Sequence, residues 1–340
     1  MATTHRVRFF GLLCAFICGA AIIMELFFTR PIQNADPSIA ITCQKTLLNF
    51  VAHPDDDLLF LSPDLLQRIR DNDCVRTVFV TAADDNNNAT YWLAREEGVR
   101  SAYALMAQTK NDWHTRQVAL SDHTVELSTL ADKPNISLIF MRLPDGNSDG
   151  SGFPNDNHQS LQKLWQGKLA EIHTVDGVDT YTKETLISTF TAIIEDFEPH
   201  EIHTQDFIGR YGDGDHSDHH TVAYITQRAS RTYKARHILI GYEDYTTLKK
   251  LPNVAADDYA LKYQIFSTYA KHDRAICDNT VVCQQETTSF KDWAAREYQA
   301  GTEVVLCTQT VNKPQRSSHT FYDFFFKKRQ TEASSLGCGK

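Results

Sequence analysis

A short acidic block with one histidine, Ala52 to Asp57 (AHPDDD), is the first part of this sequence that can do chemistry. Imidazole nitrogens and carboxylate oxygens both bind zinc. Pro54 restricts the backbone inside the block. His53 and Asp56 can therefore converge on one ion, while Asp55 projects separately as a free carboxylate. The alternative is an acidic helix N-terminus, where aspartates cap free amides and interact with the helix dipole.

A second polar cluster, Gly212 to His220 (GDGDHSDHH), carries three histidines within five positions. His216 and His219 are three residues apart, which places them on one side of a helix. Polar residues also cap helices, but capping does not require histidine. His53, Asp56 and His219 would together make a site of two histidines and one carboxylate with an open position. That pattern is typical of catalytic rather than structural zinc.

The elements that must position these clusters follow from hydrophobic patterning. Short apolar runs predict buried parallel strands at residues 46–52, 77–82 and 137–143, with another short strand at 201–205. Helical spacing of apolar residues predicts helices at residues 58–70, 91–108, 185–197, 218–229 and 259–273. This alternation predicts an α/β fold, a Rossmann-like open, mainly parallel sheet with helices on both faces. The acidic block then lies at the ligand-binding edge of the sheet, and residues 146–177 form a long surface loop nearby.

The two clusters resemble the paired motifs AHPDDE and HPDH of the PIG-L/LmbE-like zinc-dependent de-N-acetylase family. Three further segments agree in order: Arg95-Glu96-Glu97 with the helix after the second strand, Arg142 to Gly146 (RLPDG) with the third-strand motif, and Lys262 to Tyr269 with the late helix. The resemblance covers about residues 46 to 275. One departure is Asp57, which stands where the family has a glutamate and is one methylene shorter.

The resemblance implies that His53, Asp56 and His219 bind one zinc ion and that Asp55 is the general base. The implied activity is zinc-dependent hydrolysis of the acetyl group of an N-acetylglucosamine-type sugar conjugate, through metal-activated water. Two alternatives stay open: a metal-dependent hydrolase of another amide or ester, or a non-catalytic metal-containing carbohydrate-binding protein. The presence of Asp55 argues against the second, because metal binding alone does not require that carboxylate.

Four other residues receive roles from the same resemblance. His216 would stabilise the oxyanion or protonate the leaving amine, and Asp218 would orient a histidine. Arg95 and Asp145 match positions that look like substrate contacts, where a sugar presents hydroxyls to charged groups. The family's best-known substrates are N-acetylglucosaminyl-phosphatidylinositol and N-acetylglucosaminyl-inositol, although a cell-surface or secreted glycan deacetylase is equally consistent.

The N-terminus predicts the location of the enzyme. An apolar run from Phe9 to Phe28 follows Arg6 and Arg8, and it predicts a signal anchor, or a signal peptide if it is cleaved. The catalytic domain would then be lumenal or extracellular, held to the membrane by the uncleaved segment or secreted. The predicted organisation is an anchor or signal peptide at residues 1–30, a linker at 31–45, the deacetylase domain at 46–300 and a C-terminal extension at 301–340.

Cysteine usage supports that location. Two of the 8 cysteines lie in the apolar run, which leaves six in the rest of the chain. An even number in a chain with a secretory signal predicts disulfides. The predicted pairs are Cys43–Cys74, Cys277–Cys283 and Cys307–Cys338. Glycosylation is permitted by two sequons, which begin at Asn88 and Asn135.

The net charge of the chain and its tryptophans limit the kinds of binding partner that we expect. The formal net charge is −9 at pH 7, so no basic field exists to attract phosphates, and nucleic acid is not expected as a partner. The expected partner is an N-acetylated sugar conjugate or glycan. The four tryptophans are predicted to be core or loop anchors rather than a platform for carbohydrate; they are Trp92, Trp113, Trp165 and Trp293.

Overall fold

The computed structural model describes residues 43–277, 283 and 288–306. Its strands are β1 Thr46–Val51, β2 Cys74–Thr81, β3 Trp113–Leu120, β4 His123–Leu130, β5 Ile136–Leu143, β6 Glu171–His173, β7 Thr180–Thr182, β8 Glu201–Thr204, β9 His237–Tyr242 and β10 Gln299–Val305. Its helices are α1 Asp56–Phe60, α2 Asp64–Arg70, α3 Ala89–Met106, α4 Leu161–Trp165, α5 Lys183–Phe197, α6 Ser217–Ser230, α7 Ala256–Ala270 and α8 Thr288–Ala294. Short 3-10 helices lie at Pro154–Asp156 and Tyr245–Lys249.

Eight of these strands form one sheet in the order β10-β9-β8-β1-β2-β5-β4-β3. The central strands β9, β8, β1, β2 and β5 run parallel. Antiparallel strands complete both edges, with β10 on β9 and the β3–β4 hairpin on β5. Strands β6 and β7 pair separately. The predicted mainly parallel α/β sheet is therefore confirmed, and the antiparallel edge strands add to it.

Helices cover both faces of the sheet because the central strands are apolar on both sides. On one face Leu48 and Phe50 pack in a cluster with buried residues of α4, α5 and α6. On the other face Leu47 and Val51 pack in a second cluster with residues of α1, α2, α3 and α7. This two-sided burial explains why the central strands are continuous hydrophobic runs in the sequence.

Two predicted segments differ in detail from the structure. The helix predicted at residues 58–70 is divided into α1 and α2, because Pro63 lacks an amide donor and disfavours a helical conformation at Ser62. The loop predicted at residues 146–177 contains a 3-10 turn, α4 and β6. Ser160 caps α4 by accepting a hydrogen bond from the Lys163 amide. Short local hydrogen-bonded elements of this kind leave little periodicity in a sequence.

The cysteine pairs within the described residues are the predicted ones. Cys43 is bonded to Cys74, and Cys277 is bonded to Cys283. The first bridge joins the chain before β1 to the start of the neighbouring parallel strand β2. The third predicted pair, Cys307–Cys338, lies outside the described residues.

The two sequons have different environments. The amide nitrogen of Asn135 is buried and donates to the Asp73 carbonyl at 2.8 Å, so the folded chain does not present it for glycosylation. Asn88 is exposed at the start of α3.

Of the outer boundaries of the predicted domain organisation, only the one at residue 300 can be compared with the structure. Strand β10 crosses the predicted boundary at residue 300 and pairs with β9, so the sheet continues into residues 301–305. The predicted anchor at residues 9–28 lies outside the described residues. Within the described part of the chain, no helix combines the length and the apolar character that crossing a membrane requires.

Candidate functional site

The candidate site lies at the carboxyl ends of β1 and β8. The chain leaves β1 towards β2 on one side, whereas β8 lies on the other side, so the two strands flank a topological switch point where open α/β sheets bind ligands. The loop after β1 carries His53, and α6, after β8, carries His219. The two rings meet although 166 positions separate them in the sequence.

The three predicted metal ligands come together at this edge. Nδ1 of His53 is 3.1 Å from Nε2 of His219 and 3.1 Å from Oδ2 of Asp56. Nε2 of His219 is 3.2 Å from Oδ1 of Asp56. All three side chains are buried. Burial lowers the pKa of His53, but the carboxylate of Asp56, with smaller contributions from its neighbours, outweighs burial and raises that pKa to about 10. The site therefore attracts positive charge.

The polar atoms of the site fit a divalent metal ion. Nε2 of His53 is buried and makes no hydrogen bond, although Oδ2 of Asp218 lies 3.5 Å away. An unpaired buried nitrogen is costly unless a ligand satisfies it. Three buried sets of side chains can converge on an ion here: His53 with His216 and His219, His53 with His216, Asp145 and Asp218, and His219 with Asp215 and Asp244. Imidazole and carboxylate donors of this kind suit zinc and related metals.

Buried polar residues hold the predicted ligands in position. Oδ1 of Asp215 is 2.8 Å from Nδ1 of His219. The Gln205 side chain donates to Oδ2 of Asp56 at 3.0 Å and accepts from the Ala52 amide at 2.9 Å. Sequence reasoning missed both residues. The i, i+4 spacing of Asp215 and His219 was an available signal, whereas nothing local marks Gln205.

Asp55, the predicted general base, has an unusual backbone. Its φ is 148° and its ψ is −22°, a combination that L residues rarely adopt and that persists only where the surrounding structure imposes it. Oδ2 of Asp55 lies 3.4 Å from Nη2 of Arg95. Burial raises the pKa of Asp55 to about 8, although the Arg95 charge opposes the rise. A carboxyl group in this state is suited to exchange a proton near neutral pH.

Arg95, predicted to contact substrate, is held by the protein on every side of its guanidinium. Nε donates to the Tyr269 hydroxyl at 2.7 Å and pairs with Asp273 at 3.1 Å. Nη1 donates to the Ala83 carbonyl at 2.7 Å. Its substrate role stays a prediction, and the structure adds a second one: Arg95 fixes the carboxylate of Asp55.

His216 and its neighbours form the other side of the pocket. Nδ1 of His216 accepts a hydrogen bond from the Asp218 amide at 3.2 Å, so its proton is assigned to Nε2, which lies 3.7 Å from Oδ1 of Asp145. Burial lowers the pKa of His216 well below its usual value, and the imidazole is neutral. Oδ2 of Asp218 accepts a hydrogen bond from the Gly146 amide at 2.7 Å and lies 3.5 Å from Nε2 of His53, so its role in orienting a histidine stays a prediction.

Two other residues of the motifs have structural contacts. Oδ2 of Asp57 accepts a hydrogen bond from the Tyr103 hydroxyl at 2.6 Å, so the shortened acid of the motif points into the core. His220, the third histidine of its cluster, lies within hydrogen-bond distance of the Asp206 carbonyl at 3.0 Å and the Asp213 carboxylate at 3.1 Å. It therefore anchors the loop before α6.

An open pocket joins these groups to an aromatic surface. The pocket is lined on one side by the polar residues above and on the other by Phe60, Tyr245, Phe290 and Trp293. Trp293 packs against the core, as an anchor would, but it also faces the pocket, which its prediction as a core or loop residue did not include.

Comparisons with solved structures return proteins of low identity. One is teicoplanin deacetylase Orf2, at 15% identity over 69% of this chain and 88% of that chain, with a TM-score of 0.40. Another is N,N'-diacetylchitobiose deacetylase from Pyrococcus horikoshii, at 11% identity over 77% of this chain and 84% of that chain, with a TM-score of 0.40. A third is 4-carboxy-2-hydroxymuconate hydratase from Pseudomonas putida, at 13% identity over 79% of this chain and 99% of that chain, with a TM-score of 0.39.

No curated protein sequence matches this chain. A family model does, and its matched segment contains both polar clusters together with the strands and helices that position them. The model described as PIG-L, GlcNAc-PI de-N-acetylase, matches residues 48–230, which is more than half of the chain, and the chain therefore belongs to this family.

Proposed function

We propose that this protein is a zinc-dependent hydrolase that removes the acetyl group from an N-acetylglucosamine-type sugar conjugate. Membership of the family supports the coarser activity, a hydrolytic sugar deacetylase. The observation that carries the proposal is the convergence of His53, Asp56 and His219 at one buried position. Two of these residues, His53 and Asp56, line an open pocket together with Asp55.

His53, Asp56 and His219 are the proposed zinc ligands. When bound, the metal supplies Lewis-acid chemistry: it lowers the pKa of water to about 7 and polarises a carbonyl group. Asp215 and Gln205 keep the ligands oriented through their hydrogen bonds to His219 and Asp56. Such supporting contacts commonly matter for metal affinity almost as much as the ligands.

Asp55 is the proposed general base. Its carboxylate lines the pocket, and the ion pair with Arg95 fixes its direction. A base with a pKa close to the working pH removes a proton efficiently and can return it later in the reaction. Asp55 would therefore take a proton from water and deliver it to the departing nitrogen.

His216 is the proposed oxyanion partner. Its Nε2 proton is not used in a hydrogen bond to the protein, and the ring lines the pocket. A fixed donor of this kind stabilises the negative charge that develops on the carbonyl oxygen. Water oxygen becomes bonded to the carbonyl carbon, the C–N bond breaks, and the nitrogen gains a proton. The products are acetate and a free amine.

Acetate release tests the activity. Zinc-loaded protein incubated with an N-acetylglucosaminyl substrate should release acetate, and chelator-treated protein should not. Elemental analysis should find about one zinc ion per chain. His216→Ala should keep the zinc, whereas Asp56→Ala should lose it. Zinc loss in His216→Ala with full retention in Asp56→Ala would exchange the roles of these two residues.

We further propose that the catalytic domain lies outside the cytosol. The bridges Cys43–Cys74 and Cys277–Cys283 support this location, because stable disulfides form in oxidising compartments. The apolar run from Phe9 to Phe28 would deliver the domain there and hold it at the membrane unless it is cleaved. Protease protection in sealed vesicles tests the proposal. Digestion of the domain from the cytosolic face would reverse the topology.

A further inference from the structure

One part of the pocket lining is aromatic, and most of it lies outside the segment that the family model matches. We name Phe60, Tyr245, Phe290 and Trp293 the aromatic wall. Three of these four residues follow residue 230, where the match to the family model ends. The matched segment therefore supplies only one residue of the wall, Phe60.

The rings of the aromatic wall hold one another in a fixed arrangement. Tyr245 and Trp293 stack with centroids 4.9 Å apart and planes 22° from parallel. Phe60 meets both rings edge to face, at 5.9 Å and 5.8 Å. Phe60 is buried, whereas Tyr245 and Trp293 are only half-buried and line the pocket. Because Tyr245 and Trp293 are stacked, each covers one face of the other, and only the remaining exposed parts of the two side chains face the pocket beside the catalytic groups.

The wall is continuous with the metal-binding edge. The rings of Tyr245 and His219 are 4.9 Å apart, at 75°. A ligand whose reacting group lies at His53 and Asp55 would therefore extend past Tyr245 towards Trp293. An exposed aromatic side chain gives an apolar face of a ligand a large area to pack against.

The remaining lining of the pocket is acidic. Five aspartates and one arginine line it among the described residues: Asp55, Asp56, Asp85, Asp145, Asp273 and Arg95. The Arg95 donors are engaged by protein groups. Arg274 lies near the rim, but it stacks on Tyr91 and donates to Asn87. No other Lys or Arg among the described residues lines the pocket.

This charge distribution is unfavourable for an anion. Burial raises the pKa of Asp85 at the rim, and the neighbouring carboxylates of Asp145 and Asp273 add to the rise, so the pocket already resists negative charge. Like charges placed together in a binding site cost several kcal/mol. Carboxylates are instead good acceptors for sugar hydroxyls.

Flat rings beside hydroxyl acceptors match the two surfaces of a sugar, its C–H face and its hydroxyl edge. We propose that the pocket takes an uncharged oligosaccharide, with the sugar ring next to the deacetylated residue packing against the exposed part of Trp293, and that it rejects phosphate-bearing substrates. This inference rests on the proposed deacetylase function and adds the substrate class. A lipid or other apolar aglycone would leave the carboxylates without donors.

Four probes with the same reacting group test the proposal. They are N-acetylglucosamine, triacetylchitotriose, N-acetylglucosamine 1-phosphate and octyl N-acetylglucosaminide. In acetate release by the zinc-loaded protein, kcat/KM for the trisaccharide should exceed that for the monosaccharide by about tenfold or more. The value for the 1-phosphate should be lower than that for the monosaccharide by at least about tenfold.

Variants of Trp293 test whether the aromatic wall causes the preference for the trisaccharide over the monosaccharide. Trp293→Leu keeps an apolar side chain but removes the flat ring, so it should abolish the preference for the trisaccharide by raising KM for the trisaccharide more than KM for the monosaccharide. Trp293→Phe should retain most of the preference. Trp165→Leu is the matched control, because Trp165 is also half-buried but lies outside the pocket, against Tyr224 and Lys183. Thermal unfolding confirms that each variant is folded.

Three results would overturn the inference. They are equal kcat/KM for monosaccharide and trisaccharide, a Trp293-dependent preference for the octyl glycoside over the trisaccharide, and efficient use of the 1-phosphate. Failure of the proposed function has a different signature, the absence of acetate from all four probes. Calorimetric titration of triacetylchitotriose into zinc-loaded Asp55→Asn protein then decides the inference: binding that weakens with Trp293→Leu supports it, and absence of binding overturns it.

Discussion

Two buried polar clusters flank the pocket, and they differ in how completely their atoms are hydrogen-bonded. The arginine cluster consists of Arg95, Tyr91, Tyr269 and Asp273. Asp273 accepts hydrogen bonds from the hydroxyls of Tyr91 at 3.0 Å and Tyr269 at 2.9 Å and from the Ala275 amide at 3.0 Å. It also pairs with Arg95 at 3.1 Å. No buried side-chain atom of this cluster lacks a partner.

The histidine cluster consists of His53, Asp56, Asp218, His219 and Asp244. It is equally buried, but three of its atoms lack a hydrogen-bond partner: Nε2 of His53, Oδ1 of Asp218 and Oδ2 of Asp244. An unsatisfied buried polar group costs roughly 1–3 kcal/mol, so a fold rarely keeps several of them together without a use.

This difference in hydrogen bonding indicates different roles for the two clusters. A saturated network gains nothing from a ligand and holds the structure in place, as Arg95 does for Asp55. An unsaturated network has polar atoms left over, and a metal ion held by the converging atoms of His53, Asp56 and His219 would stabilise it. The scaffold and the metal site can therefore be separated by measuring stability with and without metal.

The largest expected effect comes from breaking the arginine cluster. Arg95→Ala removes one partner of a buried ion pair and leaves Asp55 and Asp273 uncompensated, so the free energy of unfolding should fall by about 3–5 kcal/mol. Urea denaturation measures this change. Arg70→Ala, at an exposed arginine in α2, should alter stability by no more than about 0.5 kcal/mol. A loss below about 1 kcal/mol in Arg95→Ala would contradict the scaffold role.

The next effect concerns catalysis without loss of the metal. Asp55→Asn keeps the shape of the side chain but removes the base, so kcat should fall by about a hundredfold or more while zinc content is unchanged. Asp122→Asn, in the exposed turn between β3 and β4, should behave as wild type. Near-normal turnover in Asp55→Asn would exclude the proposed base, and zinc loss would make Asp55 a ligand.

Metal removal should affect only the histidine cluster. At free zinc about 100 times the dissociation constant, zinc should raise the free energy of unfolding by about 2.7 kcal/mol, and a chelator should reverse this. The His53→Ala/His219→Ala double variant should show no zinc-dependent change. The matched double variant His114→Ala/His173→Ala, at exposed histidines, should keep the full effect. Zinc stabilisation that survives in the first double variant would place the metal elsewhere.

The smallest expected effect is the difference in stability loss between an Asp→Asn substitution in the arginine cluster and one in the histidine cluster, both measured without metal. Asp273→Asn removes charged acceptors from a saturated network and should cost roughly 1.5–3 kcal/mol. Asp244→Asn should cost less than Asp273→Asn, because burial raises the pKa of Asp244 well above its ordinary value, so the fold already disfavours the charge that the substitution removes. Equal losses in the two variants would remove the distinction between the clusters.

Much of the fold could be predicted from hydrophobic periodicity. Strands β1, β2 and β5 are buried on both sides, and their apolar runs are therefore conspicuous. Strand β3 was missed because seven of its eight residues are exposed or half-buried, so its place comes from pairing with β4 rather than from burial. Strand β10 also lies at an edge of the sheet, and all of its residues are exposed or half-buried, so its sequence has no clear apolar pattern.

The residues of the site also fall into two groups, those that the sequence could predict and those that only the structure brings together. Residue types and spacing within each motif predicted that His53, Asp56 and His219 bind a metal, because donor atoms and local geometry are encoded in short segments. Only the tertiary structure decided that Gln205 and Asp215 lie within hydrogen-bond distance of them, that Asp244 lies beside His219 and that Trp293 faces the same pocket. These residues come from the loops after β8 and β9 and from α8. Their meeting depends on strand order, which brings distant segments to one sheet edge, and strand order leaves no local signal in the sequence.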